Sequence, residues 1–89
     1  MMTIIEPDST NIKRFGHDGD DLYIQFHGKG NPKTYVYPGV PAATFDEMRG
    51  AASVGVYFHS FIKLVYAGTL ITEEQAATFG FPSSDAVKT

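Results

Sequence analysis

"LYIQFHGKGNPKTYVY", Leu22 to Tyr37, decides the fold. In its first half Leu22, Ile24 and Phe26 fall at every second position, and Tyr23, Gln25 and His27 fill the positions between. Successive side chains of a strand point to opposite faces, so a period of two marks a half-buried strand. "GKGNP", residues 28–32, supplies turn residues. "KTYVY" then puts Tyr35 and Tyr37 on one face of a further strand and Val36 on the other. Upstream, "NIKRFGHD" (11–18) is a short strand closed by the turn "GDD" (19–21). Three short strands with tight turns predict an antiparallel meander.

Working outward, Pro38 and Pro41 end the sheet. "PAATFDEMRGAA" (41–52) is helical in character: Pro41 suits a first turn, Phe45 and Met48 share a face, and Gly50 is a stop. Ser53 is placed to cap a second helix through "SVGVYFHSFIKLVY" (53–66). "TEEQAATFGF" (72–81) carries a capping box, Thr72 with Gln75, and ends at Gly80 before Pro82. The expected fold is α+β, a three-stranded antiparallel sheet with two or three helices packed on it. Residues 1–9 read as a loose lead-in, 10–66 as the domain, 67–82 as an added helix and 83–89 as a flexible tail. The expected core is Ile12, Leu22, Ile24, Phe26, Val36, Phe45, Met48, Val54, Phe58 and Ile62.

With 89 residues, 43% of them hydrophobic, the chain is sized for one small domain. It has no cysteine, so disulfides and thiolate zinc sites are excluded and a reducing cytoplasm fits. The start "MMTIIEPDST" lacks the basic-then-apolar order of a signal peptide, and no apolar run is long enough to span a bilayer. A net charge of −3 disfavours a sequence-blind nucleic-acid binder. Lys13, Arg14, Lys29, Lys33, Arg49 and Lys63 nevertheless lie in the central body, which leaves room for a local pocket for one small anion.

Catalytic and metal motifs find little support. His17, His27 and His59 are dispersed without a metal-ligand spacing, and "HDGDD" lacks the later ligands of a calcium loop. His17 and His27 read as solvated turn residues. Ser53 stands in no nucleophile elbow and reads as a cap. "GKGNP" lacks phosphate-loop spacing and reads as a strand connection with Lys29 exposed. Neither cofactor nor metal is called for.

Two constellations rank higher. Tyr23 with His27, and Tyr35 with Tyr37, occupy strand faces that neighbouring strands bring together, with Arg14 on a third strand. Flat rings and a guanidinium stack a base and clamp a phosphate; the competing reading buries the tyrosines as core. The second constellation is the helix entrance Ser53-Val54-Gly55, with Lys63 further along the same helix. That helix is apolar on two stripes, Val54, Phe58, Ile62 and Val65 on one, Tyr57, Phe61 and Leu64 on the other. So wide an arc needs cover on two sides, from the C-terminal helix or from another copy of the chain. A homo-oligomer assembled partly through Tyr57, Phe61 and Leu64 is expected.

Ile12, the Gly16–Asp18 turn, the alternating Leu22, Ile24 and Phe26, the paired Tyr35 and Tyr37, Val40-Pro41, Phe45 and Met48 precede "ASVGVYFHSFIK" from Ala52. Together they resemble the KTSC domain family over about residues 10–66, most specifically through Ser53, Gly55, Tyr57 and Phe58. His59 stands where the family often has Asn, and the segment to Phe81 lies outside the short domain. The family occurs as a tail on some lysyl-tRNA synthetases and as small free-standing proteins of bacteria and phages. The resemblance implies a fold and a binding role without a reaction. The resulting expectation is a non-enzymatic binding protein for a small anionic ligand, a nucleotide above all, with Arg14, Tyr35, Tyr37, Ser53, Gly55, Tyr57, His59 and Lys63 as its site. By analogy with the phage setting of the family, the expected role is a sponge for a host immune nucleotide signal. An RNA-binding accessory module and a protein-interaction domain are the alternatives.

Overall fold

Strand pairing follows chain order throughout. In the computed structural model, which describes residues 2–28 and 32–82, one antiparallel sheet runs β1-β2-β3-β4-β5. The strands are β1 (Thr3–Ile5), β2 (Ile12–Asp18), β3 (Asp21–Phe26), β4 (Lys33–Pro38) and β5 (Thr69–Leu70). The expected three-stranded meander is its centre, β2 to β4, but the sheet has five strands. Thr3–Ile5, read as part of a loose lead-in, pairs with His17, Gly16 and Phe15. A side chain on Gly16 would run into Met2 Sδ at 2.7 Å and the Thr3 carbonyl at 2.9 Å, so glycine lets this edge close. β5 is two residues long and pairs Leu70 with Tyr35 after the chain has passed through two helices. Residues 29–31 and the tail 83–89 lie outside the described residues, so the readings of Lys29 and of a flexible tail lie there too.

Two details of register sort the side chains. Gly19, at φ +66°, turns β2 into β3 beside the Asp18–Asp21 pair. Further up the hairpin Ile12 opposes Phe26, but Arg14 opposes Gln25, so Lys13 sits in a bulge. The extra residue lets both Ile12 and Phe15 join the core while Arg14 points to the opposite face. In β3 and β4, Leu22 opposes Tyr37, Ile24 opposes Tyr35 and Tyr23 opposes Val36.

The first face is covered by α1 (Ala42–Arg49) and by α2 (Val54–Tyr57), which runs on into a π-helical turn, Phe58–Ile62. α1 starts behind Pro41, and the Ser53 hydroxyl accepts the Val56 N–H at 3.2 Å to start α2. Phe45, Met48, Val54, Phe58 and Ile62 descend from the helices onto Ile12, Phe15, Leu22, Ile24 and Tyr37. Phe58 stands edge-on to Phe26 (5.2 Å) and Tyr37 (5.6 Å), the arrangement aromatic quadrupoles favour.

The second face carries Tyr23, Ala76 and Phe81 as a small core, with Val36 packed against it. α3 (Glu73–Thr78) covers it, started by the expected Thr72–Gln75 capping box. The third helix is thus on the opposite side of the sheet from the first two. Eight of the ten expected core residues are buried; Phe26 and Val36 are only half-buried. Phe15, Tyr37, Val40 and Phe81 are buried in addition.

Phe58→Ala should cost on the order of 3–5 kcal/mol, the usual range for a buried phenylalanine, read from urea unfolding. Little change in the urea midpoint would mean that Phe58 is not the nail between helix and sheet. Burial, together with neighbouring charge, also raises the hydroxyl pKa of Tyr23 and Tyr37 above the ordinary 10.0. A raised folded-state value means stability is complete below pH 10.0 and is lost as pH rises through the folded values. Tyr37→Phe should make that alkaline loss shallower; an unchanged alkaline unfolding curve would contradict the burial of its hydroxyl.

Candidate functional site

Between β4 and the π turn lies an open groove of about 380 Å³. Phe26, Tyr35, Tyr37 and Phe58 form its floor, and Asn11, Lys33, His59 and Lys63 its rim. β4 supplies three of its eight lining residues by its period of two: Lys33, Tyr35 and Tyr37 project to one side. The helix supplies three more, Phe58, His59 and Lys63, by its widened turn, in which the Lys63 N–H bonds the Phe58 carbonyl five residues back at 2.9 Å; Phe26 of β3 and Asn11 complete the lining. Within this turn Phe58 and Ile62 keep to the core, while His59 and Lys63 reach the rim. One lysine therefore comes from the sheet and one from the helix.

The floor is rigid. Tyr35 lies 6.5 Å from Tyr37, centroid to centroid, and stands edge-on to Phe26 at 5.8 Å. Behind Tyr37 the chain passes so close at Gly68 that any side chain there would overlap the ring. Burial first, and then the neighbouring Tyr35, push the Tyr37 hydroxyl pKa upward, which keeps it a neutral hydrogen-bond donor at ordinary pH.

A second, wider hollow of about 650 Å³ adjoins the groove and shares Asn11 and His59 with it. Asp8, Ser9 and Thr10 line one side, and Ser53, Gly55, Val56 and Ser60 the other. Two of its three serines already serve the fold: Ser53 caps α2, and Ser9 Oγ accepts the N–H groups of Asn11 (3.2 Å) and Ile12 (3.0 Å). A methyl group on Gly55 would meet Ser9 Oγ at 3.7 Å, an ordinary contact. A smaller cleft of about 200 Å³, between β4 and the start of α3, has no aromatic ring in its lining.

Of the eight expected site residues, Tyr35, Tyr37, His59 and Lys63 come together in the groove, and Ser53 and Gly55 border the adjoining hollow. Arg14 does not join them. Only 6% exposed, it lies on the other face of the sheet, donating from Nη1 to Gln25 Oε1 (2.9 Å) and the Pro82 carbonyl (3.4 Å), with Nε 3.5 Å from Glu6. The expected cluster of Tyr23, His27, Tyr35, Tyr37 and Arg14 is therefore split by the sheet. Tyr23 packs on Phe79 and Phe81. Tyr57 turns towards α1, where its hydroxyl donates to Glu47 at 2.8 Å; desolvation, and then this bond, raise its pKa.

The sequence reading missed Lys33, Phe26 and Asn11 as groove residues. Lys33 was findable, two positions before Tyr35 on the same strand face; nothing in the sequence marks Asn11. His17 and His27 are more than solvated turn residues. His17 Nε2 donates to the Val40 carbonyl at 2.6 Å and its ring stacks on Phe45 at 5.3 Å, while His27 Nε2 bonds the Ser9 carbonyl at 3.2 Å. Among the described residues no three His, Asp or Glu side chains converge as a metal site would require.

The KTSC domain profile matches residues 8–66, which include every groove residue. The crystal structure of a KTSC domain protein from Yersinia pestis is similar, at 32% identity and a TM-score of 0.71, over 81% of this chain and 100% of that one. Comparison with curated proteins finds no match. Fold, matched segment and identity agree, and the chain belongs to the KTSC domain family.

Proposed function

We propose that the protein binds, without chemical turnover, a small anionic ligand that carries a planar ring, and that this ligand is a nucleotide. The observation behind the reading is the groove itself, where tyrosine rings on the floor meet Lys33 and Lys63 on the rim. A base stacked on an aromatic ring gains roughly 1–3 kcal/mol. A phosphate at the rim finds ammonium donors from two separate elements, and His59 and Asn11 add hydrogen-bonding groups. The groove's 380 Å³ falls within the ~300–1,000 Å³ range of small-molecule sites, and the hollow beyond His59 and Asn11 extends it for a sugar or a second nucleotide. Held and released unchanged, such a ligand is sequestered, and in a phage the protein then serves as a sponge for a host nucleotide signal.

Calorimetry against linear and cyclic nucleotides tests this. At least one should bind and be recovered intact after denaturation. Tyr35→Ala and Lys63→Ala should each weaken binding by about tenfold, the loss of one stacked ring or one charge-assisted hydrogen bond. Gly68→Ala should also weaken it, by displacing the Tyr37 ring, with the far-UV circular dichroism retained. Failure of every nucleotide to bind rejects the proposal. Recovery of a converted ligand makes the protein an enzyme, and binding of single-stranded RNA alone, with a steep salt dependence, favours an RNA module.

A further inference from the structure

The outward side of α2 and the π turn is apolar and uncovered. Leu64, Val65, Val56 and Phe61 are 85, 67, 63 and 56% exposed. With ordinary side-chain areas these four present roughly 370 Å² of apolar surface, the size of the largest and often functional patch on a monomer. The C-terminal helix does not cover them, because Ala76 and Phe81 pack on Tyr23 at the opposite face of the sheet.

We infer that a second copy of this chain docks here, the segment from α2 through the π turn against its own copy, about a twofold axis. The surface carries both halves of such a contact. On the N-terminal side of Leu64, along the same segment, lies a hollow of about 290 Å³ walled by Ala51, Ala52, Ser53, Val56, Tyr57 and Phe61. An antiparallel crossing between Ser60 and Phe61 pairs positions at equal distances on either side of it. Leu64 of each copy then meets Tyr57 of the other, at the hollow, and Val65 meets Val56. The small side chain of Ser60 lets the two backbones come close at the crossing point. A standard interface takes about 800 Å² from each partner; the four exposed side chains supply a little under half of that, and the walls of the hollow add to it. No side chain lining the hollow is charged, so an apolar side chain enters it without displacing a charge, and an anionic membrane surface finds no cation in it. Val56 and Ser60 also wall the wide hollow beside the ligand groove, so the second copy borders that hollow.

Sedimentation equilibrium of the full chain should give twice the 9.7 kDa chain mass. Leu64→Lys should halve the measured mass with unchanged circular dichroism, since Leu64 is too exposed to be needed for folding. The chain has no cysteine, so single substitutions report proximity directly. Ser60→Cys should form a covalent dimer on mild oxidation, and Thr78→Cys, on α3, should not. A monomeric wild type at high concentration overturns the inference, as does a dimer that survives Leu64→Lys. A wild type that stays monomeric and sediments with phosphatidylglycerol vesicles overturns it in favour of a lipid surface.

Discussion

The pairing of Ile24 with Tyr35 and of Leu22 with Tyr37 is the constraint on which the rest of this molecule depends. Side chains alternate along a strand, so a slip of one residue between β3 and β4 would send both tyrosines to the other face. In the observed register they join Phe26 beneath the helices, and Phe58 locks over them. The bulge at Lys13 completes the sorting by admitting Ile12 and Phe15 to the core while turning Arg14 away. The aromatic groove is then a consequence of core packing. It is the margin of the core, where the rings of Tyr35 and Phe26 remain half-open and the π turn holds Lys63 beside them.

The other face is organised by hydrogen bonds. Gln25, wholly buried, receives the Arg14 guanidinium at Oε1 and donates from Nε2 to Thr34 Oγ1 (3.1 Å) and to the carbonyls of Phe81 (3.2 Å) and Pro82 (2.8 Å). Buried polar groups are costly unless bonded, and among the described residues no buried side-chain nitrogen or oxygen is left without a partner. Gln25 and Arg14 therefore tie down the segment that follows α3, and Gly80, at φ +95°, lets the chain turn into that position. Arg14 is part of this strap, and its planar fork is directed at protein acceptors. The aromatic groove and the strap are thereby divided between the two faces of one sheet.

What was legible in the sequence was local. The alternation of Leu22, Ile24 and Phe26, and the caps at Ser53 and Thr72, were readable because strand period and capping chemistry act within a few residues. Thr3–Ile5 and Thr69–Leu70 were not readable as strands, since segments of three and two residues show no period and exist through the neighbours they pair with. Arg14 was misplaced for a related reason. A bulge is one extra residue with no composition of its own, and the register between strands is a tertiary property. Within 53–66 the sequence showed two apolar stripes; the structure buries Val54, Phe58 and Ile62 and leaves Phe61, Leu64 and Val65 in solvent. Half of the expected site survives as a cluster because Tyr35 with Tyr37 and His59 with Lys63 are short-range pairs, each carried by a single element.

The most direct measurement is a nuclear magnetic resonance titration of the isotope-labelled protein with linear and cyclic nucleotides. The Tyr35 and Tyr37 ring signals and the amides from Phe58 to Lys63 should shift together, while those of Arg14, Gln25 and Phe81 stay in place. Shifts confined to the Arg14, Gln25 and Phe81 face would contradict the account and place the ligand on the side of the sheet that the strap covers.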